Sequence, residues 1–145
     1  MSKVALFLDD KRPVPSPVWR LSTGFDHFRE TVTSLHLAGH EIVAVAFDHD
    51  LDDIHYGISF ERWSDAPEIE GIPETGYDAA KWFCSFIQEN DLKFPKVFVH
   101  SANPAGALNI LFYVNNFCRA NGYPAEAERA TTNRLATLQI HESTT

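Results

Sequence analysis

Three apolar runs constrain this chain more than any other feature. Val4–Leu8, Ile42–Phe47 and Lys96–Val99 each carry a dense block of aliphatic and aromatic residues, and each ends abruptly in polar ones: Asp9-Asp10, Asp48-His49-Asp50 and His100-Ser101. Runs of this length without period-two alternation read as strands buried on both faces, which is the pattern of a parallel sheet covered by helices. The segments between them have helical spacing. Thr23-Gly24-Phe25-Asp26 has capping-box spacing, with Thr23 as expected N-cap. Phe25, Phe28, Val32 and Leu35 then fall on one face, and Gly39 follows as a stop signal. Thr75-Gly76-Tyr77-Asp78 repeats the capping pattern ahead of Ala79, Trp82, Phe83, Phe86 and Ile87. Asn103 is a good N-cap and Pro104 a good first helical residue. Ala107, Ile110, Leu111, Val114, Phe117 and Cys118 supply that helix's apolar side, and Asn121-Gly122 closes it.

Strands alternating with helices predict an α/β layer fold with a mostly parallel sheet of four to five strands. Val18–Ser22 is a candidate further strand. The loop before it, with Pro13, Pro15 and Pro17, is too short to hold a helical crossover. Residues 1–122 are expected to form the domain. Within it, residues 54–75 form a long acidic and aromatic loop or lid, with Tyr56, Phe60 and Trp63. Residues 123–145 are weakly patterned and are expected to be a C-terminal extension, partly frayed.

The net charge of −8 disfavours bulk electrostatic binding to DNA. No apolar run is long enough for a membrane span and no signal peptide is visible, so a cytoplasmic location is expected. Cys84 and Cys118, inside helical segments, then read as small core residues.

In an open α/β sheet, ligands bind beyond the carboxyl ends of the strands. All three strong strands carry polar residues there, and neighbouring strands are ~4.8 Å apart. Carboxylates crowded at that edge repel one another unless protonated or bound to a cation. Oxygen donors of this kind suit Mg²⁺ or Mn²⁺. His49 and His100 are candidate general acid and base. Two local motifs fit poorly. An EF-hand loop beginning at Asp48 would need glycine at Asp53 and an acid at Ser59. The DxD of haloacid dehalogenase-like phosphatases sits on a first strand and needs a downstream lysine, whereas no lysine follows Lys96.

The strand with an acidic pair, the strand ending in Asp and the strand ending in Ser resemble a response-regulator receiver domain. Leu6-Phe7-Leu8-Asp9-Asp10-Lys11-Arg12-Pro13, Phe47-Asp48-His49-Asp50-Leu51, Thr75-Gly76-Tyr77-Asp78 and Val99-His100-Ser101-Ala102-Asn103-Pro104-Ala105-Gly106 are more closely similar to the cyclic-phosphate processing receiver-like domains. That resemblance covers roughly residues 4 to 120. It implies a receiver-like (flavodoxin-like) three-layer sandwich and a metal-dependent phosphoesterase role on cyclic phosphate ends of RNA or nucleotides. Carried over, Asp9, Asp10 and Asp48 would hold the metal. Asp50 would assist them or orient His49, His100 and Ser101 would flank the phosphate, and Lys11, Arg12 and the Asn103 helix start would contact its oxygens. The alternatives are a non-catalytic nucleotide- or phosphate-binding module and a phosphoacceptor switch at Asp48. In a switch, Arg129 or Arg134 would replace the lysine that receivers carry on a later strand.

Overall fold

A computed structural model describes residues 2–50 and 75–140. The expected lid at 54–75 therefore lies, apart from Thr75, outside the described residues, as do Leu51, Asp53, Ser59 and His141. Among the described residues the elements run β1 (Lys3–Leu8), β2 (Trp19–Ser22), α1 (Phe25–Leu37), β3 (Glu41–Phe47), α2 (Gly76–Glu89), β4 (Lys96–Val99), α3 (Pro104–Asn121), β5 (Glu128–Arg129) and α4 (Thr132–Leu135).

The five strands form one sheet in the order β2-β1-β3-β4-β5, and every neighbouring pair is parallel. This is the flavodoxin-like order, in which the chain reverses its direction of winding between β1 and β3. Leu8 pairs with Phe47, and Phe47 with Val99, so the three apolar strands end level with one another.

Alternation along the strands divides the core. Leu6, Leu8, Val45, Phe47, Val97 and Val99 face the three long helices. They pack there with Phe28, Val32 and Leu35 of α1, Ala79, Phe83 and Ile87 of α2, and Ala107, Ile110 and Val114 of α3. Ala5, Phe7, Ala44, Ala46 and Phe98 face the other way, onto Trp19, Leu135, Val14, Leu138 and Ile140. That second covering layer is thin: one short helix and non-helical chain. Cys84 and Cys118 are buried between α2 and α3. Burial, helped by the neighbouring Cys118 sulfur, pushes the Cys84 thiol up to about 12, so it stays protonated.

The Val18–Ser22 run does form a strand, β2, parallel to β1. No helix connects them. β2 overlaps only Ala5 to Leu8, a depth of ~13 Å at the usual strand rise. A proline-rich extended chain advances ~3.1 Å per residue, so residues 9–18 return over the thin face without a helix, and Val14 packs there.

The caps at α2 and α3 form as their spacing predicts. Thr75 and Asp78 make a reciprocal capping box, Asn103 Oδ1 accepts from Gly106 N–H, and Gly122 ends α3 in the left-handed conformation. The expected Thr23 cap does not form. The N-cap of α1 is Gly24, in extended backbone with no side-chain cap, because Thr23 is still leaving β2 and its own N–H donates to His27 Nδ1.

Residues 123–140, expected as an extension beyond the domain, add β5 and α4 to the same sheet and core. Trp19 Nε1 donates to the Leu135 carbonyl at 2.9 Å across the thin face, and the Trp19 ring meets Phe7 and Phe98 edge-on. Trp19→Phe keeps most of the packing and removes this donor, leaving the Leu135 carbonyl to the Leu138 N–H alone. Urea denaturation should show a loss of about 0.5–1.5 kcal/mol. A loss below about 0.5 kcal/mol would mean that this bond does not tie the C-terminal segment to the sheet.

Candidate functional site at the carboxyl edge of the sheet

The hydrogen-bond ladder continues one residue past the strands. Asp9 N–H donates to the Ser22 carbonyl, Asp48 N–H to Leu8 and His100 N–H to Phe47, each at 3.0 Å. Asp9, Asp48 and His100 therefore form one row across β1, β3 and β4. Each lies two residues beyond a residue of the thin face (Phe7, Ala46 and Phe98), so all three turn to that side. One ligand atom from each lies within 4.8 Å of the other two, and all three residues are buried.

His100 is held on two sides. Its Nε2 lies 3.1 Å from Asp9 Oδ2, and its ring stacks on Phe7 with centroids 4.3 Å apart. With Asp9 ionised, Nε2 carries the proton and donates it. Nδ1 is buried, with no hydrogen-bond partner among the described residues. Asp9 Oδ1 accepts from the backbone N–H groups of Lys11 and Arg12 at 2.8 and 2.9 Å. Burial disfavours the Asp9 carboxylate, but the His100 bond and these two backbone bonds outweigh it and hold its pKa below the usual value. Asp48 goes the other way. Burial, followed by the Asp9 charge, raises it to about 6, although His100, the Ser101 hydroxyl and Arg12 oppose the shift. A cation between the two carboxylates would relieve the strain that this shift expresses, so the donor set fits a divalent metal.

His49 and Asp50 lie elsewhere. His49 follows Phe47 onto the helical face and is buried against the start of α3. Its Nδ1 is 2.8 Å from Asp50 Oδ1, and Asn103 Nδ2 lies 3.4 Å from the same oxygen. The residues expected to surround one phosphate are thus divided by the sheet. Asp9, Asp48, His100 and Arg12 meet on one side, His49, Asp50 and Asn103 anchor the helix start on the other, and Ser101 joins the two, its hydroxyl accepting from Asn103 N–H at 3.1 Å. Asp10 is half-buried beside Asp9 and Lys11 is exposed; neither belongs to the buried row.

Two glycines allow this edge to form. A Cβ on Gly76 would lie 1.6 Å from the Asp48 carbonyl oxygen, and one on Gly106 would lie 2.4 Å from the His49 ring. Gly76 N–H also donates to the His49 carbonyl at 2.8 Å.

An open cleft of about 570 Å³ adjoins the row, lined by Arg12, His100, Ser101, Ala102, Arg129, Ala130, Thr131 and Thr132. Arg12 Nη1 donates to the His100 carbonyl at 2.8 Å, and Arg129 Nη2 to the Ser101 carbonyl at 3.5 Å. In the sequence Arg129 stands out only as a substitute for the lysine of receivers, and nothing marks Thr131 or Thr132. The available signal was weak: a two-residue strand ending in Arg129, then a threonine N-cap.

A parallel sheet in this strand order, with an acidic row at the point where its winding reverses, defines a receiver-like α/β domain. The chain belongs to the cyclic-phosphate processing receiver domain family, whose model matches residues 4–116. No curated protein and no solved structure matches the chain.

Two expectations follow from this geometry. Gly106→Ala should cost about 1–3 kcal/mol by overpacking on His49. Gly76→Ala should cost more, since the clash is backbone against backbone; comparable melting temperatures for wild type and both variants would contradict the geometry. Asp48 binds its proton more tightly folded than unfolded, so its ionisation opposes folding above pH 6 and that penalty fades between pH 6 and 4. In the absence of metal, Asp48→Asn should therefore melt higher than wild type at pH 7.5, with the gap closing as pH falls to 4. An unchanging gap would show that Asp48 is not strained.

Proposed function

We propose that this domain hydrolyses a cyclic phosphate ester at the carboxyl edge of its sheet, with a divalent metal held by Asp9 and Asp48. The observation that carries the reading is the buried row of two carboxylates and an imidazole, in a chain of a family described as cyclic-phosphate processing. Mg²⁺ or Mn²⁺ bound there would polarise a phosphoryl oxygen and offset charge as the ring opens. His100 moves the proton. Asp9 orients the imidazole through Nε2, as a carboxylate does in other acid–base pairs, and the imidazole takes a proton from the attacking water. The water oxygen bonds to phosphorus, the bond from phosphorus to one ribose oxygen breaks with its electron pair, and that oxygen receives the proton from His100. The product is a ring-opened phosphomonoester. Ser101 holds Asp48, and Arg12 is placed to pair with phosphate oxygens. His49 and Asp50 support the start of α3 and take no part in proton transfer.

The test is turnover of 2′,3′-cyclic, 3′,5′-cyclic and linear nucleotides with Mg²⁺ or Mn²⁺. His100→Ala should slow hydrolysis by ~10² to 10⁴-fold with little loss of metal binding. Metal at 100 times its Kd should stabilise the wild type by about 2.7 kcal/mol, and Asp48→Asn should lose most of that. Metal-independent melting would remove the metal from this reading, and binding of cyclic nucleotides without turnover would replace the enzyme with a binding module.

A further inference from the structure

The cleft beside the acidic row has two features that the reaction just described uses only at its Arg12, His100 and Ser101 end. The first is its charge. In a chain of net charge −8, the described residues lining this cleft include two arginines, a histidine, a serine and two threonines, and among them no carboxylate. Arg134, a few residues on, is neutralised by Glu128, which also faces Lys96. Arg129 differs. Among the described residues it pairs with no carboxylate, and its hydrogen bond to the Ser101 carbonyl is long, at 3.5 Å. Most of its five N–H donors remain available to an incoming anion.

The second feature is size and character. About 570 Å³ lies well inside the range that takes a whole small ligand and exceeds what one phosphate group needs. Among the described residues lining it, the one ring is that of His100, which is committed to Phe7. Those residues offer cations and hydroxyls rather than a stacking surface for a base. Such a lining suits sugar and phosphate. The cleft begins at His100 and Ser101, where the reacting phosphate would lie, and runs toward Arg129, Thr131 and Thr132 at the β5 edge, beyond the stretch that matches the family.

We infer that this cleft binds a second phosphate group of the same substrate through Arg129, Thr131 and Thr132, so that the preferred substrate is a nucleotide end carrying a further phosphate and not a mononucleoside cyclic phosphate. The inference rests on the proposed cyclic-phosphate reading and names its substrate class. Two sources of that phosphate have the same chemistry: the internucleotide phosphodiester of an oligonucleotide, or the 5′-phosphate of a single nucleotide.

Initial rates separate these cases. The substrates are a mononucleoside 2′,3′-cyclic phosphate, the same compound bearing a 5′-phosphate, and a dinucleotide ending in a 2′,3′-cyclic phosphate. At least one of the two-phosphate substrates should exceed the mononucleoside in kcat/KM by ~10-fold or more, with the gain in KM, because a remote charge-assisted contact is made equally in ground and transition states. Gain with the dinucleotide alone identifies an oligonucleotide end; gain with both identifies any second phosphate. Arg129→Ala should collapse the preference toward unity, and Arg129→Lys should retain part of it. Thr132→Val, which removes a hydroxyl at nearly constant volume, should weaken it without a large change in melting temperature. Equal KM for all three substrates in the wild type would overturn the inference and leave the cyclic-phosphate reading standing. So would an Arg129→Ala defect of the same size in kcat for all three, which would put Arg129 on the reacting phosphate itself. Failure of the wild type to turn over any of them would overturn the parent reading and this one with it.

Discussion

The site depends on a hydrogen-bond ladder that outlasts its strands. Asp48 N–H on the Leu8 carbonyl and His100 N–H on the Phe47 carbonyl hold three polar residues in register where the apolar runs have ended. Side chains in a strand alternate faces, so a slip of one residue would send any of the three to the opposite side. The register is secured from within the core. Leu8, Phe47 and Val99 face the helices, and a slipped strand would expose them while burying charge. The hydrophobic core thus fixes the position of the carboxylates. The resulting strain falls on Asp48, whose proton affinity rises because it is buried beside another acid.

The two faces of the sheet have different tasks. Three long helices on one face supply most of the core, and the starts of α2 and α3 are clamped to the strand ends at Gly76 and Gly106, where a larger residue would collide with Asp48 or His49. That clamp is where the His49–Asp50–Asn103 group belongs. The other face is covered thinly, by Val14, Trp19, α4 and the chain beyond it. Among the described residues no long helix lies over this edge, and the cleft beside the buried acidic row is open. A proline-rich return between β1 and β2, in place of a helix, is what keeps this covering thin, and it also brings the Lys11 and Arg12 N–H groups onto Asp9.

Opposite charges meet at His100 and Ser101. On one side of them are two carboxylates suited to a cation, and on the other two guanidinium groups and two threonines suited to an anion. In the proposed reaction a phosphate ester would span this junction, with Asp9 and Asp48 holding the cation and the guanidinium and hydroxyl groups meeting its oxygens. The overall negative charge does not argue against a polyanionic ligand when the cationic side chains are gathered where that ligand would lie.

The local signals in the chain were strong enough to determine the α/β class, the limits of the main strands, the capping box at Thr75 and the cap at Asn103. The motif LDDKRP with FDHDL and HSANP also carried the family resemblance. These are short-range properties: hydrophobic runs, capping spacing and proline or glycine at turns act within a few residues. Asp9, Asp48 and His100 were legible as candidates because each directly follows an apolar run. Three things were decided only by tertiary structure. The separation of His49 from His100 follows from strand phase relative to each covering layer. The parallel placement of β2 follows from its shallow overlap with β1. The entry of residues 123–140 into the sheet follows from Trp19 reaching Leu135, a contact between positions 116 residues apart that leaves no periodic trace in sequence. A two-residue strand has too few side chains to announce itself, so Arg129 acquires its place only when the sheet edge beside β4 is there to pair with it.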